Sequence, residues 1–158
     1  MVNLSVLCPD PYFKATAAAF YSGTVVTPMF HLPCHFPCVL GVERSTGGLE
    51  IVNTGDTYAD MSVVLAANAA VTNPYIFNRT NGKKIKILGT LSVGASLQIS
   101  TVRRGKGAWI GSARCTIDPK SQFADFLEVG LNQLTFGSDE GIGRLSADVE
   151  YTALFLGV

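Results

Sequence analysis

"PYIFNRTNGKKIKIL", residues 74–88, is the stretch whose reading decides the fold. Asn81-Gly82 sits between two short apolar runs, and both residue types tolerate φ > 0, which is the requirement of a tight hairpin turn. After the turn the pattern alternates. Ile85 and Ile87 fall on one face, with Lys84, Lys86 and Leu88 on the other. A period of two describes a half-buried antiparallel strand, so 74–78 and 83–88 are expected to pair as a β-hairpin.

The same period recurs outward in both directions. "DMSVVLAA" (60–67) sets Met61, Val63 and Leu65 on one face, and "SLQISTV" (96–102) does so with Leu97 and Ile99. "AWI" (108–110) is expected to pair with the latter across "RRGKG". "LEIVN" (49–53) ends at the turn residues "TGD", and "NQLTF" (132–136) is a further strand. The closing "LSADVEYTALFL" (145–156) places Leu145, Ala147, Val149, Tyr151, Ala153 and Phe155 together, with Asp148 and Glu150 opposite. The best helix candidate is the Ala-rich "FKATAAAFYSG" (13–23), but its apolar stripe is not clean at a period of 3.6, which favours a strand. Eight to ten short strands at this spacing predict an all-β fold, an antiparallel two-sheet β-sandwich of jelly-roll or galectin-like type. Residues 1–24 read as a lead-in that includes a possible first strand, and 25–158 as the sandwich domain.

Composition narrows the function classes. The 158 residues include 12 basic and 12 acidic side chains, so no strong net field draws the chain to nucleic acid or to an anionic membrane. No apolar run reaches the ~18 residues of a membrane span, and the N-terminus lacks the pattern of a signal peptide. Asn78-Arg79-Thr80 fits the glycosylation pattern, but with no secretion signal it is expected to be unmodified.

"HLPCHFPC" (31–38) resembles a zinc site, with His31, Cys34, His35 and Cys38 in eight residues. In an extended chain Cys34 and Cys38 stand about 13 Å apart at about 3.3 Å per residue. A disulfide requires Cα atoms within about 7 Å, and zinc requires each sulfur within about 2.3 Å of the metal. The two thiols are therefore expected to pack as small apolar groups, with no metal and no cofactor.

Three further candidates remain. Lys83, Lys84, Lys86, Arg103, Arg104 and Lys106 would contact phosphates if they gathered on neighbouring strands, but no aromatics are interleaved among them in sequence, and no nucleic-acid partner is expected. Trp109, in "GKGAWIG", is the one candidate ligand-binding residue, able to stack on a sugar ring if it is exposed. Asp125, Glu128, Asp139, Glu140, Asp148 and Glu150 include possible carboxylate pairs, yet none stands in an active-site motif. The expected chain is not an enzyme.

The order of phrases carries a resemblance. "LPCHFPCVLG" (32–41), "LEIVNTGDTYADMSVVL" (49–65), "NPYIFNRTNGKKIKI" (73–87), "LSVGASLQIST" (91–101), "FLEVGLNQLTF" (126–136) and "VEYTALFLGV" (149–158) follow one another as they do in distal tail proteins of long-tailed phages. "CPDPYF" (8–13) resembles the phrase leading into that domain, so the likeness spans about residues 8–158, with 103–120 departing most. It implies the C-terminal galectin-like domain of the family, with a structural role at the virion tail tip after synthesis in the bacterial host cytoplasm. Its implied partners are other tail-tip and receptor-binding proteins. The alternative reading, from another class, is a carbohydrate-binding module recognising host-surface glycans through Trp109, and no membrane insertion is expected because no apolar run is long enough. The family's hexameric ring is built by an N-terminal domain, so a hexamer is expected only with that domain.

Overall fold

A computed structural model describes residues 12–24, 47–141 and 145–156. Cys8 and the 31–38 stretch lie outside these residues. In chain order the strands are β1 (Tyr12–Lys14), β2 (Ala19–Thr24), β3 (Gly47–Asn53), β4 (Met61–Ala67), β5 (Val71–Thr72), β6 (Tyr75–Asn78), β7 (Lys84–Leu88) and β8 (Thr90–Leu91). They continue as β9 (Ser96–Ser100), β10 (Gly107–Ile110), β11 (Ala113–Arg114), β12 (Thr116–Ile117), β13 (Gly130–Gly137), β14 (Leu145–Tyr151) and β15 (Leu154–Leu156). No helix occurs among the described residues.

One sheet has the order β11-β10-β9-β4-β14-β2 and the other β12-β7-β6-β13-β3; every pairing in both is antiparallel. The chain is an antiparallel β-sandwich. Its Ala-rich segment forms no helix; it runs as β1, a bend over residues 15–18 and then β2, which forms an edge of the six-stranded sheet against β14.

Alternation dictates which side chains meet. Val63, Ile99 and Val149 align across three strands of the larger sheet, and Leu65 aligns with Leu97 and Ala147. Ile76, Ile85 and Phe136 align across the smaller one. All nine are almost fully buried, and they form one continuous apolar core between the sheets. Burying side chains of this size stabilises by about 1.5–3 kcal/mol each before entropy is counted.

The 74–88 hairpin forms with β6 on β7, Phe77 opposite Lys84 and Ile76 opposite Ile85. Its turn is longer than two residues, and only Gly82 takes a left-handed conformation, at φ +73°. Asn side chains replace the tight turn. The Asn78 carboxamide oxygen accepts from Thr80 N–H at 3.0 Å, and that of Asn81 accepts from Lys83 N–H at 3.1 Å.

The closing strand also differs from simple alternation. β14 ends at Tyr151, and β15 leaves the large sheet to pair with β1. The crossing point needs Gly55, where a Cβ would lie 2.5 Å from the Leu154 carbonyl oxygen. The Tyr151 hydroxyl then donates to the Val52 carbonyl and ties the two sheets together at this end. Burial, and next the neighbouring Tyr21, raise the Tyr151 pKa above the usual phenol range.

Among the described residues the buried polar side chains Asn53, Asn78, Thr101, Asn132 and Ser138 all make hydrogen bonds. Asn132 donates to the carbonyls of Glu128 (2.8 Å) and Gly130 (3.0 Å) and accepts from Glu128 N–H (2.9 Å). It also accepts from the Asn78 amide at 3.0 Å, and the same Asn78 nitrogen donates to Phe126 O at 2.7 Å. Buried amides of this kind are stabilising only when every donor and acceptor is matched. The pair clamps the 124–130 loop over the open end of the smaller sheet. It also answers the glycosylation motif, because the Asn78 side chain is buried and engaged.

Candidate functional site

The outward residues of the smaller sheet form the candidate site. The hairpin register sets Lys84, Phe77 and Thr135 in one row, with Gly48 beyond them. The next row is Lys86, Tyr75 and Gly137. On the other side Arg79 follows Phe77 on the same face, and its N–H donates to Gln133 O at 2.8 Å. Tyr75, Phe77, Arg79, Lys84 and Thr135 line an open depression of about 360 Å³. That volume falls near the lower end of small-ligand sites, about 300–1,000 Å³.

Glycine shapes the floor. Tyr75 leans over Gly137, where a Cβ would sit 2.9 Å from the phenol oxygen. A larger residue at 137 would push the ring outward. Phe77 stands half-buried between Lys84 and Thr135, with no side chain at Gly48 beyond.

The cations are not equivalent. Lys84 Nζ lies 3.9 Å from the centroid of the Tyr75 ring, a cation–π contact that holds the ammonium at the rim. Lys86 is neutralised by Asp139 at 2.7 Å. Asp139 is held below the usual carboxylate range first by the Lys86 hydrogen bond and then by that of Asn73. Lys83 donates to the carbonyls of Ala124 (2.9 Å) and Asp125 (2.8 Å), so it serves the loop clamp. Among the described residues neither Arg79 nor Lys84 forms an ion pair, although Lys84 stands close enough to Asp139 to help hold its carboxylate ionised. The depression thus offers aromatic surface, two cations outside any ion pair, and the Thr135 oxygen as an acceptor, its proton being donated to Phe77 O at 3.3 Å.

Trp109 is elsewhere. It lies on β10, on the outer face of the larger sheet beside Gln98 and Arg114. It is half-buried, and its six-membered ring lies over Gly107, 2.9 Å from where a Cβ would stand. The basic group is divided as well. Lys83, Lys84 and Lys86 belong to the hairpin, whereas Arg103, Arg104 and Lys106 occupy the β9–β10 loop of the other sheet. They do not gather on neighbouring strands. Aromatic interleaving, missing along the sequence, arises across strands instead: Tyr75 faces Lys86, and Phe77 faces Lys84.

The carboxylates disperse. Asp148 and Glu150 are exposed on the outer face of the larger sheet, while Asp139 and Glu140 follow β13. Among the described residues no three His, Cys, Asp or Glu side chains are grouped to hold a metal. Cys115 is half-buried against the core, and burial raises its thiol pKa.

Sequence reading singled out Trp109 and missed Tyr75 and Phe77. The signal for them was present in the hairpin, because its register decides which lysine each aromatic meets. No family model matches this chain, and no curated protein or solved structure matches it.

Proposed function

We propose that this β-sandwich is a non-catalytic structural module of a long-tailed phage or prophage tail tip, of distal-tail type, serving as an attachment or host-facing part. The reading rests on the ordered phrases between residues 8 and 158. One observation supports it most. Asn78 and Asn132 come from two separate phrases of the resemblance, and their side chains hydrogen-bond to each other in the interior. The motif positions therefore have a shared physical purpose, closing one end of a sandwich.

Immunogold labelling of tailed particles from cells carrying the gene tests the proposal. Gold at the distal tail end is expected. Labelling confined to non-particulate material would refute it.

A second reading, a carbohydrate-binding module, draws support from the depression on the smaller sheet. The two are compatible in a tail-tip protein whose outer sheet meets the host surface.

A further inference from the structure

We infer that the depression around Phe77 binds an acidic pyranose, a sugar ring carrying a carboxylate or a phosphate, within a longer glycan. The inference rests on the proposed host-facing role only for where such a glycan is met. The binding itself follows from the side chains.

The C–H face of a pyranose is apolar and stacks on an aromatic ring, here Phe77. Arg79 and Lys84 flank that ring on the same face, neither of them in an ion pair, and the guanidinium matches a carboxylate or phosphate in a two-point contact. The cation–π contact with Tyr75 fixes Lys84 at the rim before any ligand arrives, which lowers the ordering cost of binding. Thr135, whose hydroxyl donates to Phe77 O, adds an acceptor oxygen at the floor, and Gly48 leaves the row open on its far side.

Size and charge argue against a nucleic acid. A single-strand binder needs a positive groove that follows several phosphates together with successive stacking rings. Here the free positive charge is confined to Arg79 and Lys84. On one side Asp139 cancels Lys86, and on the other the face continues with Glu50, Gln133, Val52 and Leu131. A cavity of about 360 Å³ holds one or two rings, not a strand.

Titration calorimetry on the full chain at low salt tests this. The probes are hexagalacturonate, its fully methyl-esterified neutral form, a phosphorylated oligomannose and a hexamer of deoxythymidylate. Saturable binding of hexagalacturonate or the phosphorylated mannose is expected, and which one binds identifies the acidic group. The neutral ester should bind at least about tenfold more weakly. Arg79→Gln, Lys84→Gln and Phe77→Ala should each weaken binding about tenfold, while Arg104→Gln, which removes equal charge from the opposite sheet, changes nothing. These sites are on the surface, and unchanged thermal midpoints will confirm folding. Equal binding of acidic and neutral hexamers, tighter binding of the nucleotide hexamer, loss of binding in Trp109→Ala but not in Phe77→Ala, or no binding of either acidic probe would each overturn the inference. Because the assay needs no particle, its failure leaves the labelling result to decide the tail-tip role separately.

Discussion

Replacing Asn132 by Ala removes four hydrogen bonds at one stroke. It orphans Glu128 N–H and the Glu128 carbonyl and removes one contact of the Asn78 amide, while the Gly130 carbonyl keeps its place in the ladder with β3. A fully buried orphan costs about 1–3 kcal/mol. Glu128 and Gly130 are half-buried, so water reaches them in part and the lower end applies. Asn78 keeps its bond to Phe126 O and adds little. Two backbone groups at about 1 kcal/mol each give a loss of about 2 kcal/mol. Urea unfolding reports it through the fluorescence of Trp109, the sole tryptophan, which lies on the opposite sheet and so senses global unfolding. With a slope of about 2 kcal/mol/M, the midpoint should fall by about 1 M. The amide of Glu128 should also lose protection from hydrogen exchange. Asn132→Asp sharpens the test. A carboxylate still accepts from Glu128 N–H, but it cannot donate to the two carbonyls and is buried as a charge. Its folded pKa rises above the unfolded value, so this variant should be most stable below about pH 4 and weaken as pH rises through the folded pKa. A loss under about 0.5 kcal/mol for Asn132→Ala would refute the clamp, since that is the scale of an ordinary surface change.

Gly82→Val should cost about 1–2 kcal/mol from backbone strain alone, because nothing lies within 4 Å of a Cβ there; Gly82→Asn should cost less, and equal melts for the two variants would contradict a left-handed Gly82. Asp139 has a lowered pKa, so its contribution is present above the unfolded value of about 3.9 and is lost as pH falls through the folded value. Asp139→Asn should therefore cost no more than about 1 kcal/mol at pH 7, less in high salt, and the gap from wild type should close in acid melts. Light scattering coupled to size exclusion should find the 158-residue chain monomeric or weakly dimeric at micromolar concentration; a stable hexamer would show that the sandwich itself carries ring contacts.

Alternation is a local property, and for that reason the strands were legible in the sequence. A period of two in Met61–Leu65, Leu97–Ile99 and Ile85–Ile87 already assigns each side chain to core or solvent, and the structure buries those residues. Gly82 marked its turn because a left-handed backbone position selects glycine. The end of β14 was less legible: Ala153 and Phe155 continue the alternation of Leu145–Tyr151, but the chain leaves the sheet so that Leu154 can meet the Asp56 loop. That departure is decided by a loop far earlier in the chain, with no mark on the strand itself.

The candidate site was legible only as far as one hairpin reaches. Phe77 and Lys84 are seven residues apart, and turn length determines their pairing. Thr135 and Gly48 join them through β13 and β3, which lie far away in sequence, and in Arg79's own row Gln133 stands between the guanidinium and Glu50 and donates to that carboxylate. The same reason divides the basic residues and sets Trp109 apart. Composition and periodicity determined that this chain forms strands and which faces are buried. Which strands became neighbours, and hence which rings, cations and amides meet, was decided by tertiary pairing, because a strand's pattern encodes its own two faces and not the partner that will lie beside it.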